Sequence, residues 1–381
     1  MRRNISVGII GTVGVPANYG GFETLAQQLI IHSSSFIQWE VFCSAPKYPV
    51  KERLDSFHGA KLHYLPLKAN GWQSIPYDFL SILKAIKSCD ALLILGNSGT
   101  PILPLVKAFS QKPILVNIDG LEWKRDKWPR PIRAYLKQAE AISVKFADEI
   151  IADNEAINYY VEEEYDSQAA YIPYGGDHTG TISPNAEDFK TYPFLKEKYA
   201  VKVCRIEPEN QADIVLESFS QQQRFPLVFI GNWERSTFGR KLKERYQNLS
   251  HIHLLDPIYD RRQLNLIRSQ ASLYIHGHKA GGTNPSLVEA MFLGLPVLTY
   301  DVSYNRFSTN HQGIYFKNID SLGHSLESLQ EEDLIYLGKQ MKKIAQEKYT
   351  WDSVCGKYEE LILQSLGEPI VDKINLSALQ A

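Results

Sequence analysis

The sequence has few of the features that mark disulfide-rich, membrane-spanning or nucleic-acid-binding proteins. Its four cysteines in 381 residues are widely spaced and form no Cys-x-x-Cys pair, which argues against a zinc site or a disulfide framework. No apolar run reaches the roughly 18 residues of a membrane helix, and the apolar run within residues 1–10 is too short for a signal peptide. The formal net charge of −2 gives no basic excess for nucleic acid. These absences predict a cytoplasmic protein that meets a membrane only peripherally.

Length and hydrophobic pattern together predict two α/β domains. A chain of 381 residues with 44% hydrophobic residues is too long for one ordinary core and can fill two. Short apolar runs alternate with helical patterns, which is typical of a parallel sheet covered on both faces. Residues 174–192 are rich in Gly, Thr, Ser, Pro and Asp and are predicted to be a linker, after which the alternation begins again.

The predicted fold class is therefore α/β, with two facing Rossmann-like domains and a cleft between them. The first domain is assigned to residues 1–180 and the second to residues 181–350. Residues 351–381 are predicted to form a C-terminal helix and tail, for which a return to the first domain is one option.

A glycine-rich turn before a helix, at residues 281–291, is the first candidate site. Gly281 and Gly282 leave the backbone bare, Thr283 and Asn284 can cap the following helix, and Pro285 suits its first turn. The free N–H groups and positive dipole end of such a helix bind phosphate well. The alternative is an ordinary capped helix behind a strand.

Two charged residues of the second domain extend this candidate site. Glu289, one turn into the helix, can accept hydrogen bonds from sugar hydroxyls, unless it is only a surface glutamate. Arg205 follows a strand and can reach phosphate oxygens across the cleft in bidentate fashion. A surface salt bridge to Glu207 or Glu209 is the alternative for Arg205.

The first domain offers a second glycine pair and an acid. Gly20 and Gly21 stand at a helix start and allow close approach to a ligand, unless they belong to a flexible loop. Asp119 follows a buried strand, where α/β sheets place ligands, and can orient or deprotonate a hydroxyl. The alternative for Asp119 is a helix N-cap.

Residues 123–137 mix basic and aromatic side chains. Such a stretch can lie on an anionic membrane or bind a diphosphate, and a solvated basic helix is the alternative. His276 and His278 lie at a strand end without a nearby carboxylate or cysteine in sequence, so a role in sugar binding is favoured over a metal site.

At residues 14–24, 117–125, 205–210 and 276–291 the chain resembles the retaining glycosyltransferases of family four, which have the GT-B fold. It is most similar to their bacterial rhamnosyltransferase-like branch, whose N-terminal domain has no assigned function. The matching segments span both domains in the expected order, so the resemblance covers nearly the whole chain.

The resemblance implies a role for each matching position. Arg205 and the turn from Thr283 to Ser286 would hold the donor diphosphate, Glu289 the ribose, and Asp119 would act near the acceptor. No cofactor or metal is expected, because Arg205 and the helix dipoles would stabilise the departing diphosphate. The expected catalytic residues are Asp119, Arg205 and Glu289. The expected donor-binding residues are Gly20, Gly21, Arg205, Asn232, His276, His278, Gly282, Thr283, Asn284, Ser286 and Glu289. The residues expected at the acceptor or membrane are Glu122, Trp123, Lys124, Arg125, Lys127 and Trp128.

Two departures from the broader family bear on the donor. The first of two family glutamates, eight positions apart, is replaced by Gly281, and a diphosphate-binding lysine is replaced by Asn210. Both suggest a donor other than the UDP-glucose type, and dTDP-L-rhamnose is the leading candidate.

The predicted function is transfer of L-rhamnose to an undecaprenyl-diphosphate-linked saccharide during bacterial surface polysaccharide (O-antigen or capsule) synthesis. The enzyme would work peripherally at the inner face of the inner membrane. Alternatives are a UDP- or GDP-sugar donor, a GT-B-fold epimerase, a nicotinamide-dependent oxidoreductase, and a non-catalytic nucleotide- or sugar-binding protein. The missing G-x-G core and ribose-binding acid speak against the oxidoreductase.

Overall fold

The computed structural model describes residues 3–17, 20–125 and 128–369. The predicted site residue Lys127 and positions 370–381 of the predicted tail lie outside the described residues. Within them the chain forms two separate sheets, of eight and six strands, flanked by helices. The predicted α/β fold with two Rossmann-like domains is confirmed.

The first sheet has the order β3-β4-β2-β1-β5-β6-β7-β8. All its neighbouring strands are parallel except the short β3–β4 hairpin. Its central strand β5 is buried along its whole length, because helices cover both faces. The strands are β1 (Ile5–Ile10), β2 (Ile37–Ser44), β3 (Ser56–Phe57), β4 (Ala60–Leu65), β5 (Ala91–Leu95), β6 (Ile114–Asn117), β7 (Glu149–Ala152) and β8 (Ala170–Tyr171). The helices are α1 (Gly21–His32), α2 (Ser74–Ser88), α3 (Leu103–Phe109), α4 (Arg130–Phe146) and α5 (Glu155–Tyr165).

The second sheet is wholly parallel, in the order β11-β10-β9-β12-β13-β14. Its strands are β9 (Ala200–Val203), β10 (Leu227–Ile230), β11 (Ile252–Leu255), β12 (Leu273–His276), β13 (Val297–Tyr300) and β14 (Ile314–Phe316). The helices are α6 (Ala186–Thr191), α7 (Ala212–Ser220), α8 (Thr237–Tyr246), α9 (Arg261–Ser269), α10 (Pro285–Phe292), α11 (Ser303–Ser308), α12 (Ile319–Ser328), α13 (Glu331–Lys348) and α14 (Trp351–Ser365).

The last helix returns to the first sheet. Trp351, Val354 and Tyr358 of α14 are buried in the same hydrophobic cluster as β1 and α1. The hydroxyl of Tyr358 accepts a 2.8 Å hydrogen bond from the side-chain amide of Asn117, the last residue of β6. This helix therefore braces the strand end that leads to Asp119. The domain boundaries at residues 180 and 350 remain predictions.

The segment predicted as a linker, residues 174–192, is not irregular throughout. It contains α6, which starts at a capping box in which the Asn185 side chain accepts from the Asp188 backbone and Asp188 reciprocates. Asp188 is further held by Arg262 at 2.8 and 2.7 Å. Local capping thus gives helical structure to a stretch whose composition suggests a loop.

Among the described residues, no helix is both long enough and apolar enough to cross a membrane.

Candidate active site

The turn after β6 and the turn before α10 meet across the cleft without intervening side chains. A Cβ atom on Gly120 would lie 2.3 Å from the Cα of Gly281 and 2.7 Å from the nitrogen of Gly282. A Cβ on Gly282 would lie 1.8 Å from the Oδ1 of Asp153. Carbon atoms need about 3.5 Å, so only glycines permit this approach. The bare backbone predicted at residues 281–282 therefore contacts the other domain.

Thr283 takes part in the same interdomain contact. Its buried hydroxyl donates to the backbone oxygen of Asp153 and accepts from the side-chain amide of Asn154 at 3.3 Å. That amide also donates to the backbone oxygen of Tyr304 and to the hydroxyl of Ser308, both at 3.1 Å. The prediction that Thr283 caps α10 is wrong, because its hydroxyl is committed to the first domain.

Asn284 is the N-cap of α10, as expected. Its Oδ1 accepts from the backbone nitrogen of Ser286 at 3.1 Å and from the Ser286 hydroxyl at 2.7 Å. The Tyr274 hydroxyl in turn donates to Ser286 at 2.9 Å. The first turn of α10 is therefore rigidly held, with Pro285 at its first position.

A second helix begins opposite α10. Gly20, with φ of 127°, is the N-cap of α1, and a Cβ on Gly21 would lie 3.7 Å from the Cγ of Pro285. The N-termini of α1 and α10 thus approach each other from the two domains. Both present the positive end of a helix dipole, which suits an anion between them.

Glu289 is not the surface glutamate of the alternative interpretation. It forms an ion pair with the buried Arg268, and its other oxygen lies 3.1 Å from Nε2 of His178. The Nδ1 of His178 accepts from the Trp351 indole at 2.9 Å, so the ring proton must be on Nε2, facing Glu289. Burial raises the pKa of Glu289, but Arg268 and His178 outweigh it and hold the value at about 2. The carboxylate is therefore ionised and fixed in place.

Asp119 lies on the opposite wall, in a left-handed backbone conformation with φ of 57°. Its backbone nitrogen donates to the Asn117 side chain at 3.0 Å, and no helix starts at it, so the N-cap alternative is wrong. Burial and then Glu122 raise the pKa of Asp119, while Arg125 and Arg205 oppose that rise. Arg205 of the second domain thus lowers the pKa of an acid in the first domain.

Arg205 itself is only weakly engaged by protein. Its closest carboxylate is Glu207, at 4.0 Å, and about a third of its side chain is exposed. This pair is at the outer limit of an ion pair, and it leaves the guanidinium able to meet a phosphate.

Arg125 joins the two domains instead of facing a membrane. Its guanidinium forms ion pairs with Glu122 at 2.8 Å and with Glu209 of the second domain at 3.3 Å. Because its side chain is buried, Arg125 is not available to a lipid surface. The expected membrane role of this residue is therefore wrong.

The neighbouring aromatic residues are also tied to carboxylates. The Trp123 indole donates to the buried Glu140 at 3.1 Å, and the Trp128 indole donates to Glu122 at 3.0 Å. Lys124 lies over the rings of Trp123 and Tyr160, at 5.3 and 5.0 Å from their centroids. The segment packs as a folded cluster, and of the three only Lys124 is exposed.

A cavity of about 320 Å³ lies between this cluster and the second domain. It lies beside the interdomain contact, since Gly281 is among its walls. Four cationic side chains line it against the single carboxylate of Glu209. The lining residues are Leu121, Lys124, Arg125, Arg133, Glu209, Lys279, Ala280, Gly281 and Tyr304.

Of the two histidines at the end of β12, His276 is fully buried and His278 is partly exposed. The rings of His276 and His278 stack at 4.4 Å, and burial lowers the pKa of both. Neither nitrogen of His276 has a hydrogen-bond partner among the described residues. Asn232, by contrast, is exposed just after β10, and within the described part of the chain it makes no hydrogen bond to the other predicted donor residues.

Two buried ionisable residues were missed by sequence reasoning. Asp153 follows β7 as Asp119 follows β6, and its Oδ1 has no partner among the described residues. Burial, and then Asp119, raise the pKa of Asp153 well above its ordinary value. Lys202 of β9 is buried beside Gly277, and its amine lies 5.4 Å from the centroid of the Phe229 ring without a hydrogen-bond partner among the described residues. Asp153 could have been predicted from its place directly after a buried strand, as Asp119 was. Lys202 could not, because a single lysine in an apolar strand does not indicate a site.

No group of three or more His, Cys, Asp and Glu side chains in the described part of the chain could hold a metal ion.

Solved structures share this architecture along nearly the full chain. Sucrose-phosphate synthase from Thermosynechococcus elongatus aligns at 14% identity, over 96% of this chain and 100% of its own, with a TM-score of 0.77. Anabaena HepE in complex with UDP-glucose aligns at 11% identity, over 95% and 99%, with a TM-score of 0.72. The N-terminal domain of Candida albicans trehalose-6-phosphate phosphatase aligns at 12%, over 96% and 97%, with a TM-score of 0.70. At such identities the likeness establishes the fold alone.

Two facing Rossmann-like sheets with a cleft at their carboxyl ends define a GT-B protein. Residues 4–177 match the Domain of unknown function DUF1972, and residues 185–351 match the Glycosyl transferases group 1. The chain is thus a group 1 glycosyltransferase that uses a nucleotide-sugar donor, with a DUF1972 domain as its N-terminal half. No curated protein sequence matches it significantly.

Proposed function

We propose that the enzyme transfers L-rhamnose from dTDP-L-rhamnose, with retention and without a metal, to an undecaprenyl-diphosphate-linked saccharide in bacterial surface polysaccharide synthesis. The observation that carries the catalytic part is the opposition of two helix N-termini, those of α1 and α10, beside Asp119 and Arg205. Transfer from a nucleoside diphosphate sugar requires an anion-binding site for the leaving diphosphate and a carboxyl group beside it. The two helix N-termini, one from each domain, would supply the first, and Asp119 the second.

The donor diphosphate would lie between the two helix ends. Arg205, the first turn of α10 and the backbone of Gly20 and Gly21 would neutralise the charge that develops on the leaving group. Glu289, ionised and held by Arg268, would accept hydrogen bonds from the ribose hydroxyls. Because these groups supply the positive charge, transfer should be insensitive to EDTA.

Asp119 would orient the acceptor hydroxyl, with the leaving phosphate taking its proton. Burial already raises the pKa of Asp119, so its carboxyl group is suited to hydrogen bonding with a neutral hydroxyl. Replacing Asp119 with Asn should lower the transfer rate without loss of nucleotide binding. A non-catalytic sugar-binding protein, the rival of another class, would show no turnover in either form.

The acceptor diphosphate would occupy the cationic cavity beside Gly281. Of the described residues, no carboxylate forms an ion pair with Lys124, Arg133 or Lys279, so three cations there remain for a ligand. Inorganic pyrophosphate should therefore compete with the acceptor even when the donor site is saturated.

A UDP-glucose donor is the second candidate, because the solved structure of the similar HepE contains UDP-glucose. A thermal-shift panel with dTDP, UDP and GDP separates the candidates, since the bound nucleotide stabilises the fold. Stabilisation by UDP or GDP, but not by dTDP, would exclude the rhamnose donor. A donor screen on a synthetic lipid-linked acceptor, read by mass spectrometry, would then identify the sugar.

A further inference from the structure

Three neighbouring helices of the first domain expose large apolar side chains to solvent. Helices α2, α3 and α4 cover one face of the first sheet, and α3 packs against α4 while α2 packs against the turn that precedes α3. Leu80 and Leu83 on α2, and Leu105 and Phe109 on α3, are each spaced to share one side of their helix. We define the outward face by its exposed apolar residues, which are Trp72, Leu80, Leu83, Leu105, Phe109 and Ile132.

The most prominent of these residues are aromatic. Trp72, in the turn just before α2, is 79% exposed, and Phe109, the last residue of α3, is 83% exposed. Neither makes an aromatic or cation–π contact with any described residue. Exposure of this degree serves no purpose in the fold itself, and such side chains are typical of proteins that insert into a lipid interface.

The charges on the same helices are almost all positive. Their acids are Asp78 and Glu140, and both are buried, so neither contributes to the outer surface. Their basic residues are Lys84, Lys87, Lys107, Arg130, Arg133, Lys137 and Lys145. Lys107 is paired with Asp148 and Lys137 with Glu164, whereas the other five form no ion pair with a carboxylate of the described residues. Since the protein as a whole has a net charge of −2, these five make the face a local excess of positive charge.

We propose that this face docks on an anionic lipid bilayer. Apolar side chains would enter the boundary between headgroups and acyl chains, and the lysines would meet anionic headgroups. The proposal rests on the proposed function in one respect, because a lipid-linked acceptor requires the cleft to work at a membrane. Of the predicted stretch 123–137 it keeps only the first turn of α4, because the indoles of Trp123 and Trp128 are bonded to carboxylates, and it adds the outer side of α2 and α3.

The position of α4 connects this surface to the cavity of the candidate site. Ile132 belongs to the outward face, and its neighbour Arg133 lines the cavity. A diphosphate leaving the headgroup layer at the start of α4 would therefore meet Arg133, and then Lys124 and Lys279.

The chain offers a matched control on α13. Ile335 and Tyr336 are also exposed, at 55% and 61%, but the helix begins with Glu331, Glu332 and Asp333. If the outward face were only a tolerated apolar patch, it should bind anionic vesicles no better than the exposed residues of α13. If it docks on an anionic membrane, it should bind them better, because the acidic residues of α13 are repelled by anionic lipids.

Flotation with phosphatidylcholine vesicles, with and without phosphatidylglycerol, tests the proposal on the full chain. The wild type should float with the anionic vesicles only. Lys84→Ala combined with Lys87→Ala should lower the partition coefficient about 30-fold, since each lysine near a charged surface contributes about 1 kcal/mol. Trp72→Ser with Phe109→Ser should lower it at least as far. Ile335→Ser with Tyr336→Ser should leave it unchanged.

Two results would overturn the proposal: no flotation of the wild type on anionic vesicles, or equal losses in the α13 control. All the substituted residues are exposed, and equal melting temperatures would confirm that the variants fold. Transfer to a water-soluble acceptor with a short prenyl chain should proceed at the wild-type rate in the variants of the docking face. Absence of transfer by the wild type to any acceptor would instead refute the proposed function and leave the flotation result standing.

Discussion

Replacement of Gly120 with alanine should disturb the contact between the two domains without disturbing the fold of either domain. The new Cβ would lie 2.3 Å from the Cα of Gly281, a backbone atom that no rotamer change can move. Because carbon atoms need about 3.5 Å, the two turns would have to separate by roughly 1.2 Å. The backbone φ of Gly120 is not positive, so alanine adds no local strain, and the clash acts between the domains.

The expected consequence is a loss of transfer activity with little loss of nucleotide binding. A displacement of about 1 Å between reacting groups costs on the order of 100-fold in rate, because the reacting atoms must remain in a near-attack geometry. The N-terminus of α10, Arg205 and Glu289 belong to the second domain and keep their relative positions. The dissociation constant of the nucleoside diphosphate should therefore change less than threefold, a difference of about 0.7 kcal/mol.

The assay compares initial transfer rates, nucleotide affinity by calorimetry and the melting temperature for wild type and Gly120→Ala. Gly180→Ala is the matched control, because a Cβ at Gly180 meets nothing within 4 Å. If Gly120→Ala kept more than a third of the wild-type rate, the contact would not be part of the catalytic geometry. An equal loss of nucleotide affinity would show that the clash disturbs the second domain as well.

Three further substitutions test the buried charges. Arg268→Met should lower the free energy of unfolding by about 3 kcal/mol, because it leaves the largely enclosed Glu289 with His178 as its remaining partner, and urea denaturation measures this. Burial lowers the pKa of Lys202 below its ordinary 10.5, so the unfolded chain binds the proton more tightly than the folded chain does. The stability of the wild type should therefore rise with pH up to that value, and Lys202→Met should remove this rise. A wild type without that rise would contradict the assignment. Burial raises the pKa of Asp78 from 3.8 to about 7, so between those pH values the folded chain retains a proton that the unfolded chain has lost. The stability of the wild type should therefore fall as the pH rises through that range. Asp78→Asn should abolish this fall, which melting curves between those pH values would measure.

Much of the secondary structure was predictable because both sheets are parallel and buried. Short apolar runs at residues 91–95, 149–152 and 297–300 predict strands, and β5, β7 and β13 occupy those residues. The pattern of residues 155–165 predicts a helix, and α5 has those bounds, with Asn154 as its N-cap. Helix α3 was not predicted, because its seven residues are too few to show a helical period. The start of helix α4 lies in the basic and aromatic stretch of residues 123–137, whose charges do not indicate where a helix begins or ends.

The candidate site was predictable only within each domain. Asn284 as a cap and Asp119 at a strand end follow from local sequence rules. The contact of Gly282 with Asp153 joins positions that are distant in sequence, and no local pattern reveals which turns of two domains will meet. Nor could sequence show that Glu289 is held by Arg268 and His178, since α9 and the segment before α6 reach it only in the folded chain.

The same geometry accounts for the glycine that stands where the broader family has its first glutamate. Gly281 has a φ of +132°, which L side chains rarely adopt, and it lies against Gly120. Two acids adjoin this contact, Asp119 next to Gly120 in the chain and Asp153 against Gly282. Burial raises the pKa of both, and the charge of Asp119 further raises the pKa of Asp153. A glutamate at 281 would add backbone strain, and its Cβ would point towards the Nη2 of Arg125, 4.0 Å away, in the wall of the cationic cavity. The two carboxyl groups beside this contact, those of Asp119 and Asp153, therefore come from the first domain, and the second domain contributes the glycine backbone that lets them approach.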